Sequence, residues 1–304
     1  TIAFSARTAA GPYRLYSVAP DGSGCAPIAW VAPSTDTAAG ITLHDFDPAF
    51  AADGRLVFAS SRGYLSADPI GEAGPSRTPA SLAPNANLFV RDADGTIRQL
   101  TFQLNQELGP AFMTDGRLIM TAEKRELDFH MFAGRRLNLD GGDYHPLFAQ
   151  RESVGFHSAT EFAEMLDRNL VFVASELDWA DVAGVIAIVN RSIGPDQFDR
   201  PVDDRPYISS MSFPAGEIGA LAGAFRSPAP LPTGHLVVSC DLAAASLTAG
   251  GYAFRLCDLD PDSGAIVEIG GGAGANVEDA AVMTRAERTV FVSRNDEANG
   301  HTTI

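Results

Sequence analysis

Two segments of this chain repeat each other, and this repetition constrains the fold more than any other feature of the sequence. Ala52–Ser60 and Thr114–Ala122 each carry an Asp-Gly pair followed by a short run of mainly apolar residues. Asp47–Phe50 and Gly109–Phe112 precede them at the same distance, and both contain Pro-Ala-Phe. An Asp-Gly pair beside an apolar run is typical of a tight hairpin turn. The repeat therefore predicts a strand, a turn and a second strand in each copy.

Two more strands complete one repeat. After the first copy come a strand at Asn87–Asp92, a second Asp-Gly turn, and a strand at Arg98–Thr101. Four antiparallel strands joined by tight turns form one blade of a β-propeller. We therefore predict an all-β fold, a β-propeller of about six four-stranded antiparallel blades whose terminal blades are incomplete in this chain. The six second strands are centred near Phe4, Phe58, Met120, Phe172, Val238 and Phe291.

The repeats also predict the domain organisation. We expect one propeller domain over residues 1–304, as a piece of a longer protein, with insertions at 64–86 and 191–223. A compact blade needs roughly 40–50 residues, and both insertions are rich in Pro, Gly, Ser and Asp. The segment Ser158–Leu166 fits a short helix, but the register of the repeat favours an inner strand there.

Charge and hydropathy exclude two classes of partner. The 304 residues carry a formal net charge of −16 and are 45% hydrophobic. An acidic surface without a basic cluster repels a phosphate backbone, which argues against nucleic-acid binding. The chain has no run of 18 apolar residues, so the sequence predicts no membrane-spanning helix.

The three cysteines give no paired framework. A hairpin of Leu236–Cys240 with Tyr252–Cys257 would place Cys240 opposite Tyr252 and leave Cys257 about 16 Å away along the ladder. Bridged Cα atoms lie about 4.4–6.8 Å apart. We therefore expect no disulfide between Cys240 and Cys257, and Cys25 stands alone.

The first repeat resembles the repeat of TolB-type propeller proteins. The matching residues are the Pro and Phe of Asp47–Phe50, the Asp-Gly turn, the apolar strand, and the Ser-x-Arg of Ser60–Arg62. Asn87–Val90, Asp92–Gly95 and Leu100-Thr101 match the later part of that repeat. The resemblance implies a periplasmic or extracellular location. The layout is also similar to the propeller portion of hydrazine synthase alpha-subunit-like proteins, although their haem-attaching Cys-x-x-Cys-His is absent from this sequence.

Polar residues near the inner strands are the candidate site, because propellers commonly bind ligands at one mouth of the central channel. Carboxylates with an Arg and two His could hold a cation such as Ca²⁺, a small zwitterion or a peptide terminus. The alternative is that these side chains only face water in the channel. Asp45 and Asp47 alternate along one strand, which suits chelation. The candidates are His44, Asp45, Asp47, Glu107 with its neighbour Gln106, His157, Glu161, Arg226, Asn276, Glu278 and Asp279.

The sequence leaves three function classes open. No catalytic residue is assigned, because the nucleophile elbow, the His-Glu-x-x-His zinc motif and paired Cys-x-x-Cys are all absent. Asp140–His145 could supply ligands, but a plain turn is favoured. The leading interpretation is a non-catalytic extracytoplasmic module that binds a protein or small-molecule ligand at the channel mouth, without a required cofactor. The alternatives are a metal-assisted enzyme with its site at that mouth and an accessory propeller domain of a larger redox enzyme.

Overall fold

The structure, a computed structural model, describes residues 1–8, 11–31, 43–62, 86–103, 105–126, 129–148, 154–190 and 211–271. Within these ranges the chain is β throughout apart from one 3₁₀ turn at Ala180–Val182. No helix in these ranges is long and apolar enough to cross a membrane. The described residues divide between two compact units, the first within 1–128 and 135–145 and the second within 129–134 and 146–286.

Consecutive strands of the first unit pair as antiparallel neighbours. A three-stranded sheet is followed by a four-stranded sheet in the order β4-β5-β6-β7. β8 then pairs with β9, and β11 pairs with β10, a strand that belongs partly to each unit. The strands are β1 (Ile2–Ala6), β2 (Arg14–Val18), β3 (Ala26–Pro27), β4 (Asp45–Phe50), β5 (Leu56–Ser60), β6 (Asn87–Arg91), β7 (Ile97–Gln99), β8 (Glu107–Phe112), β9 (Leu118–Glu126), β10 (Phe129–Leu137) and β11 (His145–Pro146).

The second unit repeats this pattern twice. Its sheets run in the orders β12-β13-β14-β15 and β18-β19-β20-β21, with a small hairpin of β16 and β17 between them in the chain. Phe132 of β10 forms one parallel bridge to Ser158 of β12. The strands are β12 (Ser158–Glu164), β13 (Leu170–Ser175), β14 (Val185–Val189), β15 (Met211–Ser212), β16 (Gly216–Glu217), β17 (Ala220–Leu221), β18 (Ala224–Pro230), β19 (Leu236–Asp241), β20 (Arg255–Leu259) and β21 (Ile266–Gly270).

Four of the second strands, β5, β9, β13 and β19, are buried on both faces. Val57 of β5 packs in one cluster with Met120 of β9, while the ring of Phe58 lies in a separate cluster on the opposite face. In the second unit Val173 of β13 and Val238 of β19 share one cluster. Each sheet is too small to bury its own apolar faces, so adjacent sheets gain stability by stacking on each other.

The first strand of four sheets carries a β-bulge at the same place. The bulged residue adopts a left-handed backbone conformation, and pairing with the second strand resumes two residues later. A bulge changes the direction in which a side chain points. Inner-strand carboxylates therefore do not simply alternate from face to face. The bulged residues are Asp47 in β4 (φ 50°), Gly109 in β8 (φ 57°), Glu161 in β12 (φ 54°) and Ser227 in β18 (φ 50°).

Most expected elements lie where the repeat placed them. The second strands centred on Phe4, Phe58, Met120, Phe172 and Val238 are confirmed, and the sixth, at Phe291, lies outside the described residues. Ser158–Glu164 is a strand, as the register favoured. The insertion at 64–86 lies outside the described residues except for Ala86, and the one at 191–223 is described only from residue 211. The number of six blades and the single domain remain predictions.

The expectation for the cysteines is wrong, because Cys240 and Cys257 form a disulfide. Strand β20 begins at Arg255 rather than at Tyr252, and Arg255 pairs with Cys240. Cys257 pairs with Val238, so the two cysteines are diagonal neighbours whose Cα atoms are 6.0 Å apart. Cys25 is free and exposed.

Candidate functional site

Asp45 is fully buried, and two side chains from the end of β5 bind its carboxylate. Ser60 donates its hydroxyl to Oδ1 at 2.7 Å. Arg62 donates Nε to Oδ1 at 3.1 Å and Nη2 to Oδ2 at 2.8 Å. Arg14 approaches Oδ2 to 3.7 Å, and the Arg62 guanidinium lies over the ring of Trp30. This two-point ion pair joins the first and second strands of the sheet.

His44 lies next to this ion pair and is held by the backbone. Its ring Nδ1 accepts a hydrogen bond from the amide of Tyr13 at 3.3 Å, and its own amide donates to Ser61 Oγ at 2.8 Å. Burial lowers the pKa of His44, Arg14 and Arg7 lower it further, and Asp45 acts in the opposite direction. The neutral ring with an unprotonated Nδ1 is the form that this geometry favours.

The bulge carboxylates bind the backbone of the next sheet. Asp47 Oδ2 accepts a hydrogen bond from the amide of Gly109 at 2.9 Å within the first unit. Within the second unit Glu161 Oε2 accepts one from the amide of Ser227, and Arg226 Nη2 donates to Glu161 Oε1 at 2.8 Å. In both cases a carboxylate on one bulge accepts a hydrogen bond from the bulge of the neighbouring sheet. These three candidates therefore tie adjacent inner strands together.

Glu107 is a second fully buried acid, in β8. Its Oε1 accepts a hydrogen bond from the Tyr144 hydroxyl at 2.6 Å, and the Arg135 guanidinium lies over the Tyr144 ring. Oε2 accepts no hydrogen bond of ordinary geometry from the described residues. Burial raises the pKa of Glu107, and the hydroxyls of Thr101 and Tyr144 and the Arg135 guanidinium act against it. Burial also raises the pKa of Tyr144, and Glu107 adds to that shift.

The remaining described candidates lie at strand ends. His157 precedes β12, and its Nδ1 contacts Glu176 Oε2. Gln106 precedes β8, and its amide donates to Glu123 Oε2 at 3.1 Å. The Asp140–His145 segment contains the favoured turn, in which the amide of Gly142 donates to Asp140 Oδ1 at 2.8 Å. Three candidates lie outside the described residues: Asn276, Glu278 and Asp279.

No metal centre is assembled in the described part of the chain, where no three His, Cys, Asp or Glu residues come together as metal ligands. Asp45 and Asp47, the pair that suggested chelation, have separate partners: Arg62 and Ser60 for the first and the Gly109 amide for the second. Ca²⁺ binding, one of the alternatives that the sequence left open, therefore remains a hypothesis that also involves the three candidates beyond the described residues.

Four residues that the candidate list did not include complete these networks. Ser60 and Arg62 bind Asp45, and Tyr144 and Arg135 surround Glu107. The signal for the first pair was present in the Ser-x-Arg of Ser60–Arg62, which directly follows the buried strand. Tyr144 belongs to the Asp140–His145 segment, which was interpreted as a plain turn, and Arg135 had no local signal, because both residues lie far from Glu107 in the sequence.

Small antiparallel sheets with buried second strands, linked through their inner strands, are the features of an all-β protein of the β-propeller type. The chain is similar to Kuenenia stuttgartiensis hydrazine synthase, with a TM-score of 0.58 and 18% identity over 90% of this chain and 37% of that one. At this identity the likeness shows the fold alone. The chain thus spans little more than a third of the hydrazine synthase chain.

Two other solved structures match at lower TM-scores. A gluconolactonase from Xanthomonas campestris matches with a TM-score of 0.47 and 15% identity over 82% of this chain and 66% of that one. TolB from Acinetobacter baumannii matches with a TM-score of 0.43 and 14% identity over 87% of this chain and 62% of that one. No protein-family model and no curated protein matches the sequence.

Proposed function

We propose that this chain is a non-catalytic propeller module of about six blades that acts outside the cytoplasm and binds a protein or small-molecule ligand. One observation favours a binding role over catalysis. Asp45, Asp47 and Glu161 all accept hydrogen bonds from groups of the chain itself. Carboxylates held in this way support the scaffold, and a general acid or base must instead be positioned to exchange a proton with a substrate.

The buried disulfide supports the extracytoplasmic location. Cys240 and Cys257 are almost fully buried within the apolar cluster of the second unit. Structural disulfides form and persist in oxidising compartments and are rare in the cytosol. Expressing the chain with and without an export signal, followed by mass spectrometry of alkylated protein, tests this point. We expect the bridge only in the exported form, and a native chain with both thiols reduced would contradict the location.

Calcium binding separates this proposal from the metal-assisted enzyme. The experiment is isothermal titration calorimetry of the metal-free chain with Ca²⁺, together with melting curves of Asp47→Asn and Glu161→Gln. The binding module predicts no stoichiometric Ca²⁺ binding and lower melting temperatures for both variants. Stoichiometric binding that either variant abolishes would contradict it and favour the metal-assisted enzyme. Ser246→Ala, an exposed polar substitution, is the control.

The similarity to hydrazine synthase favours a second candidate, an accessory propeller domain of a larger redox enzyme. This chain matches 37% of that longer chain, and its own sequence has no Cys-x-x-Cys-His. Any haem would therefore come from other parts of such an assembly. Isolation of the native complex and measurement of its absorption spectrum test this candidate. A haem band that co-purifies with the chain would support it, and its absence would remove it.

A further inference from the structure

The outer edges of the described sheets differ in how they are protected. Four of the five outer strands have only two or three residues, and two of these contain proline. β21 has five residues and contains no proline, and its pairing with β20 is regular over Ile266–Glu268 before a bulge at Ile269. Short strands and prolines are the usual means of preventing an edge from pairing with another chain. The four short outer strands are β3 (with Pro27), β7, β11 (with Pro146) and β15.

β21 also carries exposed apolar side chains. Val267 is 60% exposed and Ile269 is 54% exposed. Val267 lies on the face of the strand opposite to Ile266, which packs against the core cluster of the second unit. Ile269 lies in a bulge, because Glu268 pairs with Cys257 and Gly270 already pairs with Leu256. Among the described residues β21 pairs only with β20. The edge of β7 differs, because Val31 forms a bridge to Thr96 beside it. β21 is therefore a long apolar edge.

We propose that β21 binds an extended segment of a partner protein that alternates basic and β-branched residues, so that the segment adds a fifth strand to this sheet. The inference rests on the proposed function and assigns it a surface and a partner chemistry. Strand addition to an open edge obtains affinity from main-chain hydrogen bonds and specificity from alternate side chains. Val267, with the bulged Ile269 near it in the strand, supplies exposed apolar contacts for the added strand.

The charges around β21 select a basic partner. Glu268 lies within the strand and is 58% exposed, and its nearest cation is Arg255 at 3.9 Å. Asp262 is exposed in the turn before β21, and Asp258 lies opposite Val267 and contacts His235. The chain as a whole has a formal net charge of −16. Lysine or arginine on the partner strand would therefore meet Glu268 at this edge, whereas Asp258 lies on the same face as Val267.

The same charges disfavour a second copy of this chain as the partner. Two β21 strands paired antiparallel about their centre place Glu268 opposite Glu268 of the other copy. Like charges directly opposite each other destabilise a strand pair. Sedimentation of the full chain is expected to show no dimer that depends on β21. A dimer that Val267→Lys dissociates would overturn the assignment of a basic partner.

The first test measures binding of fluorescein-labelled peptides of ten residues by anisotropy. One peptide alternates Lys and Val, and its control alternates Lys and Pro, which has the same charge but lacks half of the amide donors. We expect the Lys-Val peptide to bind, and the Val267→Lys/Ile269→Lys variant to bind it at least tenfold more weakly. Leu166→Lys/Leu242→Lys is the matched control, since both leucines are exposed in the same unit, and it should bind as the wild type does. Equal binding of both peptides, or no loss in the β21 variant, would overturn the proposal.

The second test separates failure of this surface from failure of the binding function. A photo-crosslinking residue is placed at Val267 or at Leu166 of the full chain in its native host. An adduct at Val267 with a distinct protein, absent at Leu166 and lost when Ile269→Lys is added, supports the proposal. If the wild type and the β21 variant recover the same partner equally, binding through β21 is excluded, and the proposed binding function of the module still stands. If neither recovers a partner or small ligand, the proposed function fails as well.

Discussion

The inner strands of the two units share the same bulge but differ in the chemistry of the residue buried two positions before it. Two residues before the bulge, the first unit has the buried carboxylates of Asp45 and Glu107. The second unit has Ala159 and Phe225 at the equivalent positions, both fully buried. The backbone geometry of the bulge is common to both units, so it does not require a buried charge. The first unit therefore buries an acid at both positions, of which Asp45 forms an ion pair and Glu107 a hydrogen bond to Tyr144, where the second unit packs apolar side chains.

Removing the buried acid of the first unit should have the largest effect. Asp45→Ala leaves Arg62 almost buried without its partner, and loss of one member of a buried ion pair costs about 3–5 kcal/mol. Denaturant unfolding measures the free energy of unfolding. Adding Arg62→Met should recover much of the loss. Phe225→Ala, the counterpart in the second unit, should cost a similar amount through the cavity it leaves. If Arg62→Met rescues nothing, the ion-pair explanation of the difference is wrong.

The disulfide gives a second difference between the units, because it lies only in the second unit. The bridge joins residues 17 apart in the chain, and a loop of this length stabilises a protein by about 3 kcal/mol through the unfolded state. We expect Cys240→Ala/Cys257→Ala to lose about that amount in denaturant unfolding, and dithiothreitol to have no further effect on it. Cys25→Ser is the control and should keep the wild-type midpoint. An unchanged midpoint in the double variant would contradict the structural role of the bridge.

The sequence predicted the strands well because they follow from local signals. Asp-Gly pairs and short β-branched runs determine turns and strands within a few residues, and five of the six second strands lie where these signals placed them. The disulfide was missed because the pairing register depends on where a hairpin closes. β20 starts three residues later than Tyr252, and this shift brings Cys257 beside Cys240.

The sequence predicted on which strands Asp45, Asp47 and Glu161 lie, and their role in binding a ligand stays a prediction. Asp45, Asp47 and Glu161 do lie on inner strands, as the repeat implied. Their partners come from other strands: Arg62 follows the second strand, and the Gly109 and Ser227 amides belong to the next sheets. A bulge at Asp47 also breaks the simple alternation on which the chelation hypothesis was based. Such long-range contacts leave no local pattern in a single sequence.

The turns between first and second strands allow a further comparison between the two units, with a smaller expected effect on stability. Gly54 in the first unit has φ +88°. Of the two equivalent turns in the second unit, one has Gly234 at φ +93° and the other has Arg168 at φ +72°. Only glycine adopts this conformation without a steric cost of roughly 1–2 kcal/mol. We expect Gly54→Val to lower the free energy of unfolding by more than about 1 kcal/mol. Arg168→Gly should raise it by up to about 1 kcal/mol, since strain is relieved. Thermal unfolding of both variants measures the two changes in stability, which should have opposite signs. A loss of stability in both variants would contradict the equivalence of the two turns.

Substitution of Glu107 should have the smallest effect on the free energy of unfolding. At neutral pH it should raise that free energy, whereas substitution of Asp45 lowers it. Its folded pKa is raised by burial, so its contribution to stability is present below the unfolded pKa and is lost as the pH rises through the folded value. Glu107→Gln removes the buried charge and retains an oxygen that can accept from Tyr144. The variant should therefore match the wild type near pH 4 and become the more stable of the two as the pH rises to 7.5. Melting curves across this range measure the difference, with the exposed Glu217→Gln of the second unit as the control. A variant that is less stable than the wild type at pH 7.5 would mean that Glu107, like Asp45, stabilises the first unit as a satisfied charge.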